Sequence, residues 1–145
     1  MSAQDNGRIA TQFNDAFNAR DWEGAVALCT PDVELVTVAA DQTLRGSEGV
    51  LQFLQGWTSA FPDGKVETTR IIADDQGAVI EFTGAGTHSG PLQTPAGEIS
   101  ATGKPLTLQF CQYLELTGGK IARARLYFDS MSMLGQLGVL PAPGQ

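Results

Sequence analysis

The sequence predicts an α+β fold in which N-terminal helices cover one face of a curved antiparallel sheet. Three observations carry the prediction. Apolar residues recur at helical spacing early in the chain, alternate at strand spacing later, and are punctuated by seventeen glycines and seven prolines. Helices followed by a run of long strands imply segregated layers, since a parallel sheet would need strands and helices in alternation. With 145 residues, no repeat and no low-complexity linker, residues 1–140 read as a single domain and 141–145 as a flexible C-terminal tail.

Ser2 to Asp5 starts the first helix, and Ile9, Phe13, Ala16 and Phe17 give it one apolar face. The run from Asn18 to Asp21 breaks it. Asp21 caps a second, shorter helix with Trp22, Ala25, Val26 and Cys29 on its apolar side, ended by Pro31. Asp32 to Ala39 alternates as a strand, and Asp41 to Gly46 reads as a turn. Ser47 is the expected cap of a third helix carrying Val50, Leu51, Leu54 and Trp57, stopped by the turn Phe61-Pro62-Asp63-Gly64. Lys65–Ile72 and Ala78–Thr87 form a hairpin around Asp74 to Gly77, and 91–97 reads as a loop. Leu106 to Leu116 alternates Leu106, Leu108, Phe110, Leu114 and Leu116, with Gln112 interrupting the apolar face. A buried amide needs partners, so Gln112 is bonded in the core or faces a pocket.

Composition removes several classes of function. No apolar stretch approaches the ~20 residues that span a bilayer, and Met1 to Arg20 lacks the layout of a secretion signal, so cytoplasmic residence is expected. A formal charge of −7 argues against nucleic acid or an anionic membrane as partner. One histidine and two distant cysteines form no nitrogen–sulfur metal site of usual spacing, and Cys29 and Cys111 read as buried free thiols, so no metal is expected.

The stretch from Lys120 to Asp129 carries the most chemistry. It follows the turn Thr117-Gly118-Gly119 and reads as a strand with Arg125, Tyr127 and Asp129 on one face and Ala124, Leu126 and Phe128 on the other. Asp129 closes the strand just before Ser130 to Leu134. It suits an acid/base group, a helix cap, or an ion-pair partner of Arg125. His88 is adjacent to Ser89, and neighbours on a strand face opposite ways, which disfavours a nucleophile pair. It is either a strand-end histidine bonded to backbone or a pocket residue. Glu34 and Glu81 fit a solvated sheet face.

Several short segments in order resemble the SnoaL-like polyketide cyclases. They are Leu44 to Val50, Trp57 with Ala60 to Asp63, Gly86 to Leu92, Ala101 to Lys104, Gly119 to Ile121, Tyr127 to Asp129 and Gln136 to Gly138. The resemblance implies the cone-shaped nuclear-transport-factor-2-like fold, a cystatin-like roll, dimeric as a rule and with a pocket inside the cone. It further implies cofactor-free acid/base chemistry on a hydrophobic carbonyl compound, by aldol cyclisation or enol isomerisation. Asp129 then falls at the position of the base, with His88 and Tyr127 as donors to the enolate oxygen. Phe13, Phe17, Trp57, Gln112 and Arg125 complete the expected pocket. An inward Arg125 would orient Asp129 yet lower its basicity.

Two alternatives stand beside this one. A non-catalytic binding protein would show an apolar cavity with Asp129 bonded to backbone amides and turned away. An epoxide hydrolase-like enzyme would need a second carboxylate, for which Glu81 is the best candidate. The sheet face left bare by three helices, with leucine-rich alternation on it, predicts a homodimer formed sheet to sheet.

Overall fold

The computed structural model describes residues 2–140, so the tail expected at 141–145 lies outside the described residues. In chain order the elements are α1 (Ala3–Ala19), α2 (Trp22–Ala27), β1 (Cys29–Thr37), a 3-10 turn (Val38–Ala40), β2 (Gln42–Arg45), α3 (Gly46–Ala60), β3 (Lys65–Ala73), β4 (Gly77–Thr87), β5 (Leu92–Thr94), β6 (Gly97–Ile99), β7 (Pro105–Thr117), β8 (Lys120–Phe128) and α4 (Ser130–Gln136). Six strands form one sheet in the order β2-β1-β8-β7-β4-β3. All neighbours are antiparallel except β1 and β8, which run parallel. Register shifts in β1, β3 and β8 bend this sheet. Helix α1 lies over β3 and β4, and α3 over β1 and β2. The predicted α+β plan is therefore the observed one.

Local chemistry explains most boundaries. Ser2 caps α1 by accepting from the Asp5 N–H at 3.1 Å, and Asp21 caps α2 by accepting from Gly24 at 2.9 Å. Gly118 and Gly119 both have positive φ, as the two-residue turn between β7 and β8 requires. Asp74 Oδ1 accepts from the Gln76 and Gly77 N–H groups and closes the β3–β4 turn.

The structure corrects four expectations. Cys29 belongs to β1, not to the second helix, because Pro31 falls in the irregular part of the β1–β8 pairing, where its missing N–H costs no ladder bond. Residues Gln42 to Arg45 are a short strand paired with β1 rather than a turn. The N-cap of α3 is Arg45 and not Ser47, with no side-chain cap bond. Within the expected 91–97 loop, β5 begins and pairs with β6 as a small separate hairpin.

Strand alternation sorts the sheet into an inner and an outer face. Leu106, Leu108, Leu114, Ile80, Leu35 and Leu126 point inward and are nearly fully buried. Each such side chain contributes about 1.5–3 kcal/mol by leaving water. The leucine-rich alternation is thus on the helix side, and the outer face holds another set. Ile72, Val79, Tyr113, Arg125 and Val36 form a row across β3, β4, β7, β8 and β1. On the outer face Ile72, Tyr113 and Tyr127 are exposed large apolar groups. Among the described residues no helix is long and apolar enough to cross a membrane.

Three asparagines on α1 clasp the helix to the β3 side of the sheet. Asn6 Nδ2 donates to the Asp74 carbonyl at 2.9 Å, and Asn14 Nδ2 to Thr68 Oγ1 at 3.2 Å. Asn18 both donates to the Val66 carbonyl at 2.8 Å and accepts from its N–H at 2.9 Å. Arg20 adds to the clasp by donating to the carbonyls of Phe17, Pro62 and Gly64. Replacing Asn18 with Ala strands both backbone groups of Val66, so we expect a loss of about 1–3 kcal/mol. Urea unfolding should show an earlier midpoint with an unchanged slope.

Candidate functional site

Between α1, α3 and the inner sheet face lies a cavity of about 70 Å³. Aromatic rings dominate its wall: Phe13 and Phe17 from α1, Phe53 and Trp57 from α3, Phe61, Phe82 from β4 and Phe110 from β7. Phe82 and Phe110 stack at 5.1 Å with planes 10° apart. Gly84 makes room for that stack, since a Cβ there would come within 2.8 Å of the Phe110 ring. Lys65 and Ala85, exposed and paired across β3 and β4, mark where the cavity meets solvent.

Asn14 and Gln112 supply the polar side chains of the inner wall, both buried. Asn14 is engaged with Thr68, as described. Gln112 is only 2% exposed and lines the cavity. Its amide carries both a donor and an acceptor at that wall.

A larger cleft of about 340 Å³ lies on the other side of Trp57 and Phe53, which line both spaces. The β5–β6 hairpin, the 3-10 turn, α4 and Phe128 form its remaining walls. No ionisable side chain lines it among the described residues.

Of the residues expected in the pocket, Phe13, Phe17, Trp57 and Gln112 line the inner cavity together. The others are placed elsewhere. Arg125 and Tyr127 lie on the outer face, because alternation on β8 turns Leu126 inward and its two neighbours outward. There the Arg125 Nε donates to the Tyr127 hydroxyl at 3.1 Å. Neither can reach a ligand in the inner cavity, which corrects both expectations.

His88 is fully buried but absent from the walls of both spaces. Its Nδ1 lies 2.9 Å from the Thr102 hydroxyl oxygen and 3.2 Å from the Thr102 backbone nitrogen, and Nε2 has no partner among the described residues. Its own N–H donates to the Lys104 carbonyl and its carbonyl accepts from Gly103, so the backbone-bonded strand-end reading describes it. The ring packs 5.4 Å from that of Phe61.

Asp129 is exposed and caps α4, its Oδ1 accepting from the N–H groups of Met131 and Ser132 at 3.0 and 3.2 Å. It is not part of either wall, although Phe128 and Ser130 on both sides of it line the outer cleft. It therefore does not share an enclosed cavity with His88, as the sequence led us to expect. Glu81 is exposed and paired with Cys111 on the outer face, so it forms no carboxylate pair with Asp129 about one water. Among the described residues no three His, Cys, Asp or Glu gather as a metal site.

The cysteines stay apart as free thiols. Burial pushes the Cys29 thiol up to about 11, against the opposing charge of Lys120, so it is protonated at neutral pH. Burial also raises Cys111, with Glu81 adding to the effect.

Comparison with known proteins now bears on this site. A family model described as SnoaL-like polyketide cyclase matches residues 7–137. No curated protein matches the chain. Among solved structures, a putative SnoaL-like polyketide cyclase from Jannaschia sp. CCS1 is similar at 16% identity and a TM-score of 0.84, over 96% of this chain and 95% of that one. AclR, a putative hydroxylase from Streptomyces galilaeus, is 22% identical with a TM-score of 0.80, over 97% and 100%. A hypothetical protein with a ketosteroid isomerase-like fold from Catenulispora acidiphila DSM 44928, in complex with trimethylamine, is 20% identical with a TM-score of 0.76, over 94% and 96%. At these identities the likeness establishes the fold.

Next to the cavity-lining Gly64 and Gly86 stands a titrating contact. Asp63 Oδ1 accepts from the Thr87 N–H at 2.7 Å, and that bond, above the smaller influence of Arg20, holds the Asp63 carboxyl below its usual range. The folded value is lowered, so the contribution is present above the unfolded value of about 3.9 and fades as pH falls through the folded one. We expect the hydrogen-exchange protection of the Thr87 amide, corrected for intrinsic rate, to decline in that acid window. An Asp63→Asn variant should show a flat profile.

Proposed function

We propose a small-molecule role for this chain, which belongs to the SnoaL-like polyketide cyclase family: it takes up a hydrophobic carbonyl compound whose carbonyl end enters the aromatic cavity and accepts a hydrogen bond from Gln112. The buried amide of Gln112, set in a wall of aromatic rings, is the observation that carries this reading. A ligand carbonyl there would accept from it in a site shielded from water. The stacked and edge-on rings around it favour an apolar, flat partner. The placement of Asp129, bonded to backbone amides outside the cavity wall, supports binding without chemistry.

A second reading adds turnover, and one observation favours it. The cap bonds of Asp129 all go through Oδ1, and both chain neighbours line the outer cleft. As base, Asp129 would take a proton from the carbon beside a carbonyl. The enolate carbon would then attack a second carbonyl of the same molecule, and the new alkoxide would take the proton back, which balances an aldol cyclisation. In this reading neither Tyr127 nor His88 holds the enolate oxygen, since Tyr127 lies on the outer face and His88 stands outside both walls.

The homodimer remains part of the proposal on a changed basis. The outer row of Ile72, Val79, Tyr113 and Val36 is the apolar surface that a second sheet would cover. We keep cytoplasmic residence in the same proposal.

The tests separate these readings. Gln112→Leu keeps the volume and removes the polar group, so acetophenone affinity measured by calorimetry should fall about twofold to tenfold. Wild-type affinity in that variant sinks the anchor. Asp129→Asn caps about as well as Asp, so a catalytic base would reveal itself as a loss of about 10²–10⁴-fold in turnover with the fold intact. A wild-type rate would remove Asp129 from catalysis. For the assembly, sedimentation at micromolar concentration should give twice the 15.3 kDa chain mass, and Tyr113→Lys should shift it to the monomer. A wild-type monomer ends the dimer proposal.

A further inference from the structure

We propose that Asn18 guards the free edge of the sheet at β3, and that the partner it excludes is the same edge of a second copy, paired antiparallel. This edge is separate from the outer face offered to a second sheet.

Strand β3 is one of the two outermost strands of the six-stranded sheet. At nine residues it is the longer of the two, since β2 has four. The free side of such a strand carries backbone donors and acceptors that another strand can use. Here they can be assigned residue by residue. The Val66 N–H and carbonyl meet Asn18, so they point away from β4, and Thr68 follows by alternation. The register then shifts between Thr68 and Arg70. Beyond the shift the Asp74 N–H donates to the Gly77 carbonyl across the hairpin, which turns Ile71 and Ala73 to the free side.

The Asn18 amide offers Val66 one N–H donor at 2.8 Å and one oxygen acceptor at 2.9 Å. A neighbouring strand presents the same two groups to the residue it faces across a hydrogen-bonded rung. Asn18 thus stands in for one residue of a seventh strand and ends the sheet there. Asn14 reaches the hydroxyl of Thr68, the next edge-facing residue, at 3.2 Å. Asparagine is a poor helix former, so local structure alone does not ask for either residue on α1.

Side chains select a second copy as the excluded partner. The register shift puts Glu67 and Arg70 on the same outer face, beside Thr83 and Glu81 of β4. Both are exposed, and among the described residues neither is in an ion pair. Two β3 edges run antiparallel, with Glu67 of each opposite Arg70 of the other, would form two cross-strand ion pairs. The same register sets Val66 opposite Ile71, both edge-facing, so that each pair exchanges two backbone hydrogen bonds. Charge and hydrogen bonding agree on one alignment. Its rungs run through the groups that Asn18 holds.

The test is sedimentation of the intact chain at tens of micromolar, with folding followed by circular dichroism. Wild type sets the reference mass, whatever its state through the sheet face. Asn18→Ala should at least double that mass, because the freed edge pairs with its copy. Asn6→Ala loses another bond of α1, to the Asp74 carbonyl beyond the paired stretch, and should keep the wild-type mass. Glu67→Arg added to Asn18→Ala should return the mass to that of wild type, since like charges then oppose each other. Should Asn18→Ala not fold in plain buffer, the comparison is made in sucrose, which favours the folded state. Folded Asn18→Ala at wild-type mass overturns the guard, and so does assembly of Asn6→Ala to the same extent. Assembly that survives Glu67→Arg overturns the pairing of β3 with its copy.

Discussion

The indole of Trp57 is the contact on which the interior depends. The buried residues fall into two clusters, one under α1 and α3 and one around Phe61, Leu92, Leu106 and Met133. Trp57, Phe110 and Phe128 pack against both clusters and tie them together. Edge-to-face aromatic pairs contribute about 0.5–1.5 kcal/mol each beyond area burial. Three rings meeting at one point therefore hold two half-cores in register. Trp57 also borders both the inner cavity and the outer cleft.

Strand alternation then decides which chemistry the interior can use. On β7 and β8 the inward set is Leu108, Phe110, Gln112, Leu114, Ala124, Leu126 and Phe128. The outward set takes the phenols, the guanidinium and the thiol of Cys111. A single residue of slip would place Arg125 and Tyr127 inside, and the inner wall would lose its leucines to water. The apolar face fixes the register, so the ionisable face is committed to solvent or to a second sheet. From these two strands, what enters the cavity as polar chemistry is the uncharged amide of Gln112.

Legibility from the chain followed the same division. Helices α1 and α3 and the long strands β3, β4, β7 and β8 were readable because their periods persist over several turns or pairs. Strand β2 and the β5–β6 hairpin are only a few residues long and take their stability from neighbours, so turn-forming residues masked them. Phe13, Phe17, Trp57 and Gln112 line the inner cavity, and their inward direction was legible because each falls on the apolar face of its helix or strand. Arg125 and Tyr127 were misplaced because an alternating strand reveals two faces without saying which is inner. Asn14 and Asn18 went unnoticed, their partners being some fifty residues away in sequence. The one available signal was three asparagines spaced along a helix, a residue that helices do not favour.

Those asparagines also bear on how the molecule ages. Asn6 is followed by Gly7, and a backbone N–H after asparagine can attack the side-chain amide when the chain is flexible, converting it in time to a carboxylate. Inside α1, with its amide donating to the Asp74 carbonyl, Asn6 is held out of that geometry. Once converted, position 6 would set a buried negative charge against a carbonyl oxygen and no donor. The folded state thus guards the residue it relies on, while each excursion to the unfolded state exposes it to an irreversible edit. Lifetime in solution is in this way tied to the fraction of time spent folded.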